Sequence, residues 1–344
     1  MKRVAGGWWL AVSATLTLAA PAVAALTEGP RLAAVYDTIL KAQFSDVDAQ
    51  LARTCPPAPR EACQELTAVS LWWQILLNPE SRALDRQLTS AAEAAIAASD
   101  AWTRREPQRA EAWFYLAGSY APLVQLQVLR TDRLAAARNG KRIKDALEHA
   151  LQIDPTLADA YFGIGLYHYY AAVAPMYAKL LRWLLMLPGG DREQGLREML
   201  QAREHGDVLR GEADYQLHVL YLWYEKKPRD ALALLEALDA QYPTNPLFLE
   251  RIADVHETYF HDPRASAAAW RTLLDRAHAN RVFDSRSTEI RARLGLASEL
   301  LRMNDVDAAI AHLQIVVDAR PTEPIGARER ATALLHDARA RKHF

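Results

Sequence analysis

The chain has 344 residues, 51% of them hydrophobic, and its 41 basic and 42 acidic side chains give a formal charge of −1. That balance offers no cationic field for a nucleic-acid backbone, and the apolar content supports a continuous core rather than a disordered chain. With only 14 glycines and two cysteines, alanine- and leucine-rich helical periodicity dominates, and the expected fold class is all-α.

In chain order, residues 1–24 read as a signal peptide. Lys2 and Arg3 precede an apolar run with Trp8, Trp9, Leu10, Val12, Leu16 and Leu18, and Ala22-Val23-Ala24 gives a small-x-small cleavage site. The mature protein is then expected to start at Ala25 and to be exported to the periplasm; an uncleaved anchor is the alternative. Residues 25–109 are expected to form an amino-terminal helical cap of degenerate helix pairs. Leu32 to Phe44 is a predicted helix with Leu32, Val35, Tyr36, Ile39 and Leu40 on one face, followed by a shorter one from Asp46 to Arg53. Cys55 and Cys63 bracket a proline-rich loop, Pro56-Pro57-Ala58-Pro59; in an exported protein that arrangement is read as a disulfide, and it is not the C-x-x-C spacing of a redox motif. Glu65 to Leu77 is a helix with bulky residues, including Trp72 and Trp73, stopped by Asn78-Pro79, and Ser81 to Arg105 is a long alanine-rich helix.

From Ala110 the pattern repeats. Ala110-Glu-Ala-Trp-Phe-Tyr-Leu-Ala and Ala158-Asp-Ala-Tyr-Phe-Gly-Ile-Gly each place an aromatic fourth and a small residue eighth. Glu212 to Asn245 is the most regular unit, with Tyr215 fourth, Ala231 twentieth, Leu235 twenty-fourth, Leu238 twenty-seventh and Pro243 thirty-second. Further units run from about Pro246 to Ala277 and from about Arg291 to Pro321, and Ala327 to Arg341 reads as a polar-faced end helix. Two antiparallel helices closed by a proline cannot bury their apolar faces alone, so such units stack.

These units resemble the tetratricopeptide repeat over roughly Ala110 to Thr322, and the whole chain resembles exported bacterial proteins built from it. The resemblance implies a right-handed superhelical solenoid of antiparallel helix pairs over residues 110–344. Two insertions, near 121–140 and 169–189, and a carboxy-terminal capping helix would complete it. It implies a non-enzymatic scaffold or adaptor whose concave groove holds a protein or peptide. Carried over by place in the repeat, the groove positions are Glu111 and Phe114; Asp159, Phe162, Leu166, Tyr169 and Tyr170; Gln216, Leu220, Trp223 and Tyr224; and Glu250, Asp254 and Glu257. The groove would be aromatic at one end and acidic at the other, and several of the aromatics have core filling as their alternative role.

No catalytic, cofactor or metal constellation is expected. His256 and His261 are five apart, about 140° around a helix, too far for one ion. Asp145/His149 and Asp214/His218 are spaced to pair across a turn. Gly118-Ser119 lacks a nucleophile-elbow frame, Gly189-Gly190-Asp191 lacks a Walker lysine, and the basic run from Arg138 to Lys144 reads as a solvated helix start. The aromatic segment Tyr161 to Leu187 reads first as an inserted helix packed on the solenoid, and it leaves two alternatives open. One is a helix over 175–187, with Lys179, Arg182 and Trp183, lying on a membrane surface. The other is a small ligand bound by a subunit of an envelope solute-transport system.

Overall fold

The structure, a computed structural model, describes residues 26–173 and 189–342. The signal peptide (1–24) and the amphipathic helix over 175–187 lie outside the described residues.

The described residues form fifteen α-helices and no strand: α1 Gly29–Leu40, α2 Phe44–Thr54, α3 Arg60–Leu77, α4 Asp85–Arg105, α5 Ala110–Leu129, α6 Arg133–Ile153, α7 Ala160–Val173, α8 Arg192–His205, α9 Arg210–Trp223, α10 Pro228–Gln241, α11 Pro246–Thr258, α12 Pro263–His278, α13 Ser285–Arg302, α14 Val306–Ala319 and α15 Ala327–Lys342. From α5 onward each odd helix packs on the next as a hairpin, and each hairpin packs on its neighbour. This is the stacked all-α arrangement expected from the repeats.

The hairpin turns carry the repeat in their backbone. Thr131, Lys226, His261 and Asn304 have φ of 66°, 53°, 52° and 63°. Each directly precedes the N-cap of the second helix of its pair: Asp132, Lys227, Asp262 and Asp305. The left-handed residue reverses the chain, and the aspartates among these caps accept from first-turn amides that would otherwise lack partners. Small residues set the helix approach. A Cβ on Gly165 would lie 2.7 Å from the Gly195 carbonyl, so α7 and α8 cross at the place where the repeat asks for a small side chain.

Three sequence expectations change. The helix expected from Leu32 to Phe44 divides, because Ala42 turns through the left-handed region and Phe44 opens α2. The extra residues near 121–140 do not swell a loop; they lengthen α5 and α6 to 20 and 21 residues, against 14 each in α9 and α10. Strong helix formers such as Leu and Ala continue both helices, and Pro122 is accommodated inside α5. The amino-terminal helices do more than cap an end. α3 and α4 do pack beside α5, but α1 to α3 also reach across the later repeats.

Thr27 donates from its backbone amide and hydroxyl to Glu111 at the start of α5 (2.8 and 2.9 Å), and the Leu26 amide donates to Asp207 just before α9. The Tyr36 hydroxyl donates to Glu212 in α9 (3.0 Å), Tyr242 donates to Asp37, and Asn245 donates to the Leu40 carbonyl. Phe44 meets Phe283 edge-on at 5.0 Å, just before α13. α1 is thus a strap across the starts of α5, α9 and α11. α3 lies inside it: the fully buried Trp73 packs on Tyr215 and Phe248, and Asn78 donates to Glu323 just before α15. The Cys55–Cys63 disulfide ties the end of α2 to α3.

Candidate functional site

The first helices of the repeats carry the expected groove positions, and α1 and α3 divide that face into a covered end and an open one.

At the covered end, Phe114 is buried beneath the strap. It lines a cavity, together with Leu32, Tyr36, Glu65, Tyr115 and Leu209, that has room for about one water. Glu65 projects here from α3. A Cβ on Gly118 would lie 2.2 Å from its carboxylate, so a larger residue there would have to displace the Glu65 side chain. Glu65 Oε2 and the Tyr115 hydroxyl have no hydrogen-bond partner. Burial, with the Asp159 charge second, pushes the Glu65 carboxyl up to about 8. Asp159 itself is buried and accepts three backbone N–H bonds, from Asp207, Val208 and Leu209 at 2.7–3.0 Å. It organises the turn into α9. Gln216 donates to Glu212, which burial raises and the Gln216 and Tyr36 hydrogen bonds oppose.

Further along, Phe162 and Tyr169 belong to a second core cluster with Met199, Leu217 and Leu220. The Tyr169 hydroxyl donates to Glu225, whose carboxyl is held below its ordinary value chiefly by hydrogen bonding to Arg192. Tyr170 and Tyr224 meet edge-on at 5.8 Å, and each also touches Tyr169. Tyr170 is 37% exposed and Trp223, at the end of α9, is 68% exposed. Three of the expected aromatics thus come together as one cluster, and Trp223 stands beside it in solvent.

The open end is acidic, with each acid matched by an arginine. Glu250 binds Arg291 (2.7 Å), Asp254 binds Arg251 (2.9 Å) and Glu257 binds Arg302 (3.1 Å). The Asp254 and Glu257 side chains are 45% and 35% exposed. Beside them Glu299, from α13, is 1% exposed. Burial, then the Glu257 charge and a side-chain hydrogen bond with Glu257, pushes it up to about 7, against the opposing effect of Arg302. Sequence reasoning missed both Glu65 and Glu299. The signal was helical phase: each is flanked by apolar neighbours on its buried face, Ala62 and Val69 for one, Leu296 and Met303 for the other.

The other candidate motifs resolve as structural. Asp214 pairs with Arg203 and not with His218. His218 is buried, bonded to the Tyr215 carbonyl, and lowered to about 4 by desolvation. Asp145 pairs with Lys141, while His149 packs on Trp113 at 4.2 Å. Ser119 bonds to Ser99 and to the Tyr115 carbonyl. His261 sits in a turn off the helix that carries His256. Among the described residues, no group of three or more His, Cys, Asp or Glu is placed to hold a metal ion, and no helix is long and apolar enough to cross a membrane.

No protein-family model matches the chain, and no curated protein matches it. Solved structures with a similar fold include the APC/C hetero-tetramer Cut9–Hcn1, at 14% identity over 89% of this chain with a TM-score of 0.42. This chain spans 55% of that one, about half its length. Another is the human IFIT1 dimer with PPP-AAAA, at 14% identity over 88% of this chain and 69% of that one, again with a TM-score of 0.42. Similarity at this level carries over neither neighbour's ligand nor its partner. By their stacked hairpins, repeated left-handed turns and close helix crossing at Gly165, the described residues have a tetratricopeptide-like all-α fold.

Proposed function

We propose that the chain is an exported, non-catalytic adaptor, working in the periplasm, that holds a protein or peptide partner on the part of its inner face that α1 and α3 leave open. The contact residues are Tyr170, Trp223 and Tyr224 at one side and Asp254 and Glu257 at the other. Trp223 is the observation that carries this reading. A tryptophan with 68% of its surface in solvent, beside a packed tyrosine cluster, is a large and preorganised contact. Phe162, Tyr169 and Phe114 support the face from within the core.

The test is site-specific photocrosslinking in the exporting host, with the probe at residue 223 and a control at Val128, an equally exposed apolar position on α5. A partner trapped at 223 and not at 128, and lost in a Tyr170→Ala, Tyr224→Ala chain that melts like the parent, is the expected result. Equal capture at both positions overturns the reading. The membrane-surface reading depends on residues 175–187, outside the described residues, and the solute-transport reading on 161–187, of which 161–173 are described. Flotation of the mature protein with anionic liposomes separates the first of them from the adaptor.

A further inference from the structure

We propose that the far end of the α5–α6 hairpin is a docking tip for the headgroup surface of an anionic lipid bilayer. Val128 and Leu134 enter the interface, and Arg133, Arg138, Lys141 and Arg142 meet the headgroups. The tip uses none of the contact residues of the adaptor reading and none of residues 175–187.

Charge is divided unevenly between the two helices. From Ala112 to Leu129, α5 carries no charged side chain, and its second half holds Leu123, Val124, Leu126, Val128 and Leu129. From Arg133 to Lys144, α6 carries five basic residues and no acid. One of the five, Lys144, is buried and pairs with Glu148. Arg133, Arg138 and Arg142 are exposed, and the Lys141 side chain is 45% exposed. Val128 and Leu134, 62% and 42% exposed, flank the turn between the helices. Two large apolar side chains thus stand in water at the end of a hairpin, with cations along one flank. The acids of this region are already engaged. Asp132 accepts the Ala135 amide as the cap of α6, Asp85 pairs with Arg130, and Asp145 pairs with Lys141. Glu80 is exposed on the neighbouring turn between α3 and α4, where the exposed Arg82 and Arg86 outnumber it.

The tip is also long and firmly held. α5 and α6 have 20 and 21 residues, against 14 each in α9 and α10. At about 1.5 Å per residue the extra turns lengthen the hairpin by roughly 10 Å. Arg130 donates to the Pro79 and Ser81 carbonyls (2.7 and 2.6 Å) and pairs with Asp85 (2.8 Å). Asn139 donates to Gln127 across the hairpin (3.2 Å). A hairpin fixed in this way loses little conformational freedom when it docks. A purely apolar tip would suit a protein as well as a lipid. The cationic flank selects the anionic bilayer, because each lysine or arginine near that surface is attracted to it while its aliphatic stem lies along apolar chains. No described helix is long and apolar enough to cross a membrane, so the contact is peripheral.

The test is flotation of the mature chain with vesicles of mixed phosphatidylglycerol and phosphatidylcholine, beside vesicles of phosphatidylcholine alone. The parent is expected to float with the anionic vesicles only and to be released as salt is raised. Arg138→Gln with Arg142→Gln, and independently Val128→Ser with Leu134→Ser, are each expected to weaken binding roughly ten-fold or more. All four positions are exposed, so both variants should melt like the parent. Ile315→Ser with Ile325→Ser, at apolar side chains 44% and 45% exposed elsewhere on the chain, should bind like the parent. Flotation alone does not separate the tip from residues 175–187, and a chain with Lys179→Ser, Arg182→Ser and Trp183→Ser does. It is expected to bind like the parent. Loss of binding there, with full binding by both tip variants, overturns the inference. Equal flotation with neutral vesicles, or none with either kind, overturns it as well. Capture of a protein at residue 223 tests the adaptor reading separately, and Val128 remains its control because a probe there meets lipid.

Discussion

Glu65 and Glu299 are both buried glutamates whose carboxyls burial raises, and they sit in opposite circumstances. Glu65 is sealed. The strap α1 covers it, glycine on α5 makes its room, and the space around it holds about one water. Glu299 lies one layer below solvent, beneath the partly exposed Glu257 and Arg302. The same residue type is sealed under another segment in one place and coupled to a partly exposed acid, Glu257, in the other. What separates them is which chain segment lies on top. At the covered end α1 and α3 lie over the first helices of the repeats.

The strongest way to break this comparison is to loosen the covered end. Trp73→Ala deletes a fully buried indole that joins α3 to α9 and α11. It is expected to cost about 3–5 kcal/mol in urea unfolding. A cost under about 1 kcal/mol, the scale of a surface substitution, would mean that α3 does not fill the groove.

Next comes the titration of Glu65. Its carboxyl stands at 4.5 in the unfolded reference and at about 8 in the fold. Between these values the native state keeps a proton that the unfolded chain has released. Stability from this group is therefore full below the lower value, declines as pH rises through the window, and levels off above about 8. Glu65→Gln removes that decline. At the alkaline end it is expected to be more stable than the parent by a few kcal/mol, on the scale of roughly 1.4 kcal/mol per unit. Near pH 4 the two should match. Urea midpoints at the two ends of the window decide it, and parallel curves for parent and variant would mean that Glu65 is solvated.

The smallest effect sharpens the picture of how the strap is anchored. Cys55 and Cys63 are eight residues apart and link the end of α2 to α3. Replacing both with serine is expected to lower stability by about 2–3 kcal/mol through the entropy of so short a loop. Hydrogen exchange should rise in α1 and α2 and stay unchanged in α13 and α14. Uniform loosening would instead mean that the strap and the repeats are one cooperative unit.

Much of the fold was legible. The apolar period of Glu212 to Asn245 predicted a helix pair there, and α9 and α10 occupy Arg210–Trp223 and Pro228–Gln241. The cysteine pair around the proline loop predicted the disulfide. The turns were hidden, because Thr131, Lys226, His261 and Asn304 share a backbone angle and no side-chain chemistry. The groove positions expected from the repeat divide by burial. Trp223, Tyr224, Asp254 and Glu257 are on accessible surface, whereas Phe114, Asp159, Phe162 and Tyr169 are buried. A place in the repeat says which way a side chain leaves its helix. It does not say whether another segment of the chain already covers it.

The sequence by itself determined that the chain is a stack of helical hairpins, because local periodicity and small-residue spacing act within one unit and between nearest neighbours. Only the tertiary structure decided that α1 and α3 lie across units more than a hundred residues away, as Tyr36 with Glu212 and Asn78 with Glu323 do. Contacts of that range leave no period in the sequence. They depend on the curvature of the whole stack, and that curvature determines which end of the face is filled from within and which stays open.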